Sequence, residues 1–200
     1  MVPDPTVPAT ALAEVFPDAV AAAVAQHLAL APTASMPELA AAAGVSRATL
    51  FRRFPTRAAL VAELSRSAAT AYVRAVEQSR PRSGPADEAF ARVADAVGLL
   101  ASAVGLLALQ PLEDHVEASL LEQAAAADDE VRRLVRRGQE AGLFRVDVDP
   151  EWVLAMMTWL GVGSADAVRL GRLTPTAARR HLLDTLVVAV RRGPVGPAAG

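Results

Sequence analysis

Between Ser35 and Arg57 the chain reads SMPELAAAAGVSRATLFRRFPTR, an order that suits two short helices around a tight turn and little else. Ser35 and Glu38 hold the S-x-x-E spacing of a capping box, which satisfies two orphan amide donors where a helix starts. Leu39, Ala40 and Ala43 give that helix one small apolar face. Gly44 then stands where the residue closing a helix takes positive φ, a conformation that a side chain resists. Val45 packs into the turn, and Ser46 caps a second helix from Arg47 to about Phe54. Pro55 ends it, because a proline pushes the residue before it out of the helical region. Two helices with a glycine turn between them make a helix-turn-helix.

The second helix carries the chemistry. Leu50 and Phe54, four apart, share a face and are expected to pack inward. Arg47, Ala48, Thr49, Arg52 and Arg53 remain largely outside. Such a set suits the major groove of DNA. Arginine bonds guanine bidentately, a threonine hydroxyl reaches bases or phosphates, and Ala or Phe touches a thymine methyl.

The distribution of charge supports this more than its total does. The chain has twenty basic residues, all arginine, against twenty-two acids, for a formal net charge of −2. Yet from Gly44 to Arg82 eight arginines face only Glu63 and Glu77. A basic segment on an acidic body is the footprint of a compact nucleic-acid-binding unit.

Apolar residues make up 52% and aromatics only 4%, so the core is expected to be Ala, Leu and Val in closely packed helices. Cysteine is absent, which excludes disulfides and thiolate metal sites. No run approaches the roughly 18 uncharged apolar residues of a membrane span. The N-terminus lacks a basic then apolar leader, so a soluble cytoplasmic protein is expected.

In order, residues 1–11 read as a mobile arm. A first helix is expected from Pro17 to Leu30, with Pro17 at its first position and Val20, Val24 and Leu28 facing the core. After the second helix of the motif, Thr56 caps a long helix from Arg57 to Ser79. Arg57 in its first turn is unfavourable for the helix dipole, and a phosphate contact would explain it. The segment RPRSGP, residues 80–85, is the clearest break in the chain. It divides a DNA-binding unit, 12–80, from a C-terminal unit, 81–192, followed by a mobile tail, 193–200. The C-terminal unit is read as five helices: 86–109, 110–126, 128–141 (capped by Asp128), 149–170 and 174–192. The whole is all-α, with about nine helices.

Ala40-Ala41-Ala42-Ala43-Gly44-Val45-Ser46, followed by the run from Thr49 to Leu60, resembles the DNA-binding signature of the tetracycline-repressor (TetR) family. The resemblance implies a three-helix helix-turn-helix domain on a larger C-terminal bundle that dimerises and binds an inducer. It further implies base contacts from Arg47, Thr49 and Arg52, apolar contacts from Ala48 and Phe51, and phosphate contacts from Ser35, Thr49, Arg53 and Arg57. Three departures stand out. Phe51 replaces a frequent tyrosine and loses its hydroxyl, Arg53 replaces a frequent histidine, and Met36 and Pro37 replace polar residues. The implied function is a ligand-responsive, sequence-specific regulator, a repressor that binds a pseudo-palindromic operator as a homodimer.

The last two helices are apolar on several sides, so each must bury more than one face. One face is expected to meet its own domain and another a twofold mate, with Gly161 and Gly163 permitting close approach. A pocket between C-terminal helices would draw an apolar lining from Phe90, Met156, Trp159, Leu107 and Leu120. Gln110, His115 and Trp152 would supply polar contacts to a small apolar inducer. No cofactor, metal site or catalytic set is expected, since no histidine pair has ligand spacing. Two other readings remain open at this point. One is a ligand-binding or enzymatic helical bundle with a vestigial helix-turn-helix; the other is a DNA-binding regulator controlled by a protein partner.

Overall fold

The computed structural model describes residues 15–16, 18–104 and 116–192. Within them lie eight α-helices: α1 Ala19–Leu30, α2 Met36–Ala42, α3 Arg47–Arg53, α4 Arg57–Gln78, α5 Ala86–Val104, α6 Ala118–Glu140, α7 Pro150–Arg169 and α8 Pro175–Val190. Among the described residues there is no strand, only an isolated bridge between Phe144 and Arg191. The chain is all-α, with eight described helices rather than nine. The arm at 1–11, Pro17, the junction at 105–115 and the tail at 193–200 lie outside the described residues, as do Leu107, Gln110 and His115.

Most helix starts are written in local chemistry. Asp18 accepts from the Ala21 amide at 2.9 Å to cap α1, which therefore begins at Ala19. Thr56 accepts from Ala59 at 3.0 Å and Thr174 from Ala177 at 3.2 Å. Asp149 accepts from Glu151 at 2.8 Å, with Pro150 in the first turn where its missing amide proton costs nothing.

One boundary differs. Asp128 does not cap a new helix, and α6 runs unbroken from Ala118 to Glu140. No glycine or proline interrupts 118–137, and the Asp128 carboxylate is engaged elsewhere, accepting from the Tyr72 hydroxyl at 2.6 Å. A capping residue caps only if its oxygen is free to turn back on its own amides.

Two buried clusters organise the chain. Phe16, Val24, Leu28, Leu39, Leu50, Phe54, Leu60 and Leu64 close the first, around α1–α3 and the start of α4. Val76, Phe90, Val93, Val131, Leu134, Phe144, Val153, Met157, Leu182 and Leu186 build the second, with α5 packed against α4, α6, α7 and α8. The clusters meet within α4, between Ala71 and Val73, so one continuous helix belongs to both.

The 80–85 turn is fastened rather than loose. Arg92 of α5 donates to the carbonyls of Ser79 (3.1 Å), Arg80 (3.3 Å) and Ser83 (2.7 Å). Arg137 of α6 donates to those of Pro81 (2.9 Å) and Arg82 (2.8 Å). Five successive carbonyls are thus held by two guanidinium groups, whose charge strengthens each bond.

Candidate nucleic-acid interface

The Glu38 carboxylate at α2 takes both the Ser35 hydroxyl and the Ser35 amide, each at 2.7 Å. These bonds, the hydroxyl's first, hold the Glu38 acid below its ordinary range. The Val45 amide returns to the Ala40 carbonyl at 3.0 Å across the turn. Gly44 has φ +66°, and a Cβ there would meet nothing within 4 Å, so backbone conformation and not crowding calls for glycine. Ser46 then accepts from the Thr49 amide at 3.1 Å, and the two hydroxyls pair at 2.9 Å.

These caps fix the rotation of α3. Leu50 and Phe54 are buried in the first core cluster. Arg47, Ala48, Phe51, Arg52 and Arg53 are exposed, and Thr49 is half-buried. Phe51 is a large apolar side chain left 42% open to solvent on a helix that has an apolar side available. Among the described residues, Arg47 and Arg52 have no hydrogen bond or ion pair within the chain. The exposed face of α3 therefore offers two uncommitted guanidinium groups, a ring and a hydroxyl. That set can bond purine edges, touch thymine methyls and neutralise phosphates.

The other two arginines of the motif, Arg53 and Arg57, are committed. Arg57 donates to the carbonyls of Ala34 (2.5 Å) and Pro32 (2.6 Å), bracing the connection between α1 and α2. Those bonds account for a cation in the first turn of α4 without a phosphate. Arg53 pairs with the carboxylate of Asp18 and lies over the Phe54 ring, 5.0 Å from its centroid. Sequence spacing gave no sign of Asp18, which belongs to another helix. Ser35 likewise spends its hydroxyl proton on Glu38.

Of the expected C-terminal lining, Phe90, Trp152, Met156 and Trp159 lie among the described residues, and they differ in exposure. Phe90 is 1% exposed and meets Phe144 edge-on, ring centroids 5.6 Å apart, so it is part of the closed core. Trp159 faces outward at 62% exposure, because the neighbouring positions Val153 and Met157 take the inner side of α7. Trp152 is also exposed, while Met156 is half-buried. Trp152 and Met156 do share a recess of about 360 Å³ with Arg145, Asp147, Val148, Asp149 and Ala189. Two arginines of α6 pair with nearby acids: Arg132 with Asp129 and, across to α7, with Glu151, and Arg133 with Glu130. Among the described residues no cluster of His, Asp or Glu could hold a metal ion, and no helix is long and apolar enough to cross a membrane.

Residues 20–64 match the family described as bacterial regulatory proteins, tetR family. The chain is 29% identical over 179 residues to the HTH-type transcriptional repressor LfrR of Mycolicibacterium smegmatis, an alignment covering 88% of this chain and 86% of LfrR. Its fold is that of the LfrR structure solved in complex with proflavine (TM-score 0.65, 24% identity, 87% of this chain and 95% of that one). It is also similar to the TetR-family regulator PfmR of Thermus thermophilus (TM-score 0.63, 22% identity, 90% and 98%).

Proposed function

We propose that this chain, which matches the TetR family over residues 20–64, is a DNA-binding transcriptional regulator that represses transcription as a homodimer on a pseudo-palindromic operator, released by a small ligand. The observation that carries the reading is the exposed face of α3, where Arg47 and Arg52 have no partner among the described residues and Phe51 stands open. Arg47, Thr49 and Arg52 contact bases, with Ala48 and Phe51 against thymine methyls. Ser35 and Arg53 reach phosphates only by giving up or sharing Glu38 and Asp18. Arg57 acts as a brace, through its carbonyl bonds.

The homodimer reading rests on α7 and α8. Trp152 and Trp159, two helical turns apart, stand on the outer side of α7, and Val188 is 72% exposed on α8. The opposite sides of both helices are already in the core through Val153, Met157, Leu182 and Leu186. An outer apolar face on two adjacent helices suits a twofold mate, which would present the same face in return.

The ligand reading rests on the relative solved with proflavine and on the recess lined by Trp152 and Met156. Its volume lies within the roughly 300–1,000 Å³ usual for small-molecule sites. A ligand there releases DNA only by binding one state of the dimer better than the other.

Arg52→Ala tests the assignment of α3. It is expected to cost about 1–3 kcal/mol on the preferred operator and to relax base choice at one position. Equal losses on operator and on random duplex would move Arg52 from base to phosphate contact.

A further inference from the structure

Arg53 differs from the other two arginines of α3 in being already engaged. Its guanidinium pairs with Asp18, the residue that caps α1 through the Ala21 amide at 2.9 Å. The same guanidinium lies over the ring of Phe54, which is 3% exposed and fixed in the core. A cation is thus held between a carboxylate anchored by its own cap and an immobile ring, at the end of the helix that faces DNA. Pairing with Arg53, and next the Ala21 bond, keeps the Asp18 acid below its ordinary range, so the carboxylate is charged throughout neutral pH.

The consequence is electrostatic. Each cation that neutralises a phosphate releases condensed counterions, and this sequence-independent attraction dominates non-specific binding. A guanidinium whose charge is already met by a carboxylate contributes less, and the carboxylate itself repels the phosphate the arginine would reach.

We propose that Asp18 is a positioning residue that withholds Arg53 from the phosphodiester backbone, so that the base contacts of Arg47 and Arg52 carry a larger share of operator binding. The ligand class is the DNA backbone itself. This rests on the DNA-binding reading above. Asp18 lowers the attraction to operator and random sequence alike, so base contacts make up a larger fraction of what remains on the operator.

The test is Asp18→Asn in the full chain. Asparagine caps helices as well as aspartate, so α1 keeps its start while the charge is lost. Binding to random-sequence duplex and to a selected operator is measured over a range of salt. Asp18→Asn is expected to bind random duplex about three- to tenfold more tightly at low salt, with the log–log salt slope steeper by about one. The operator gains no more than random duplex does, so the ratio between them does not rise. In an Arg53→Gln background the slope change disappears. Unchanged or weaker binding by Asp18→Asn would overturn the proposal, as would an equal slope change without Arg53. Wild-type chain that binds no duplex sinks the DNA-binding reading as well; normal wild-type binding beside an indifferent Asp18→Asn sinks this inference alone.

Discussion

Gly138 lies in the interior of α6, where alanine would ordinarily stabilise by about 0.5–1 kcal/mol through helix propensity. Here the sign is expected to reverse. A Cβ on Gly138 would sit 2.0 Å from Cδ2, 2.3 Å from Cε2 and 2.7 Å from Cγ of Phe144. The ring has nowhere to go, since it is 2% exposed and packed edge-on against Phe90. Its backbone cannot drift either, because the amides of Leu143 and Phe144 both donate to the Gly138 carbonyl, at 2.9 and 3.0 Å. Overpacking a core costs about 1–3 kcal/mol, and losing a buried phenylalanine about 3–5. Gly138→Ala should therefore destabilise by about 1–4 kcal/mol after the propensity gain is subtracted. Urea unfolding followed by far-UV circular dichroism measures it. The sharper assay is a cycle with Phe144→Ala. Without the ring, Gly138→Ala should become stabilising by about 0.5–1 kcal/mol, giving opposite signs in the two backgrounds. A neutral Gly138→Ala, or additive effects, would refute the argument from packing.

Three further outcomes follow from contacts in the structure. Arg57→Ala should lower the stability of the DNA-binding unit by about 1–2 kcal/mol, since two carbonyls lose a charged donor, and should leave the salt slope of DNA binding unchanged; a slope flatter by about one, with stability intact, would return Arg57 to the phosphates. Tyr72→Phe should cost about 1–2 kcal/mol at neutral pH, because the half-buried Asp128 carboxylate loses its donor at 2.6 Å. Burial already holds the Asp128 acid above its ordinary range, and the Tyr72 bond draws it down, so the variant raises it further. A carboxyl raised by folding contributes stability that is present below its unfolded value and lost as pH rises through its folded value. Hence the penalty of Tyr72→Phe should shrink toward about pH 4, measured by urea midpoints, and a penalty constant with pH would contradict it. Trp159→Asp should shift sedimentation from dimer to monomer with helix content unchanged, and an unaltered dimer would exclude the outer face of α7 as the interface.

What the sequence made legible was the local chemistry. The capping box at Ser35, the glycine turn, the caps at Ser46, Thr56, Asp149 and Thr174 and the inward pair Leu50 and Phe54 all act within a few residues, so their spacing reports them. Contacts between distant segments were not legible. Nothing near Arg53 announces Asp18, and nothing near Arg57 announces the carbonyls of Pro32 and Ala34. The division of α6 at Asp128 failed for the same reason. Aspartate is a common cap, and only the approach of Tyr72 from α4 reveals that its oxygen is engaged elsewhere. Phe90 and Trp159 illustrate a further limit. Both are aromatic on amphipathic helices, yet one closes the core and the other faces outward, because the neighbours that compete for the inner side differ.

Selection of bound sequences from random duplex, followed by titration of the winner at two salt concentrations, tests whether the exposed face of α3 reads DNA sequence. A pseudo-palindromic consensus is expected, with half-sites that recur on one face of the duplex. The winner should bind at least about 10³-fold more tightly than random DNA, and Arg47→Ala or Arg52→Ala should blur defined positions of the consensus. Weak, steeply salt-dependent binding without a consensus would contradict sequence reading and reduce the exposed face of α3 to a patch of positive charge.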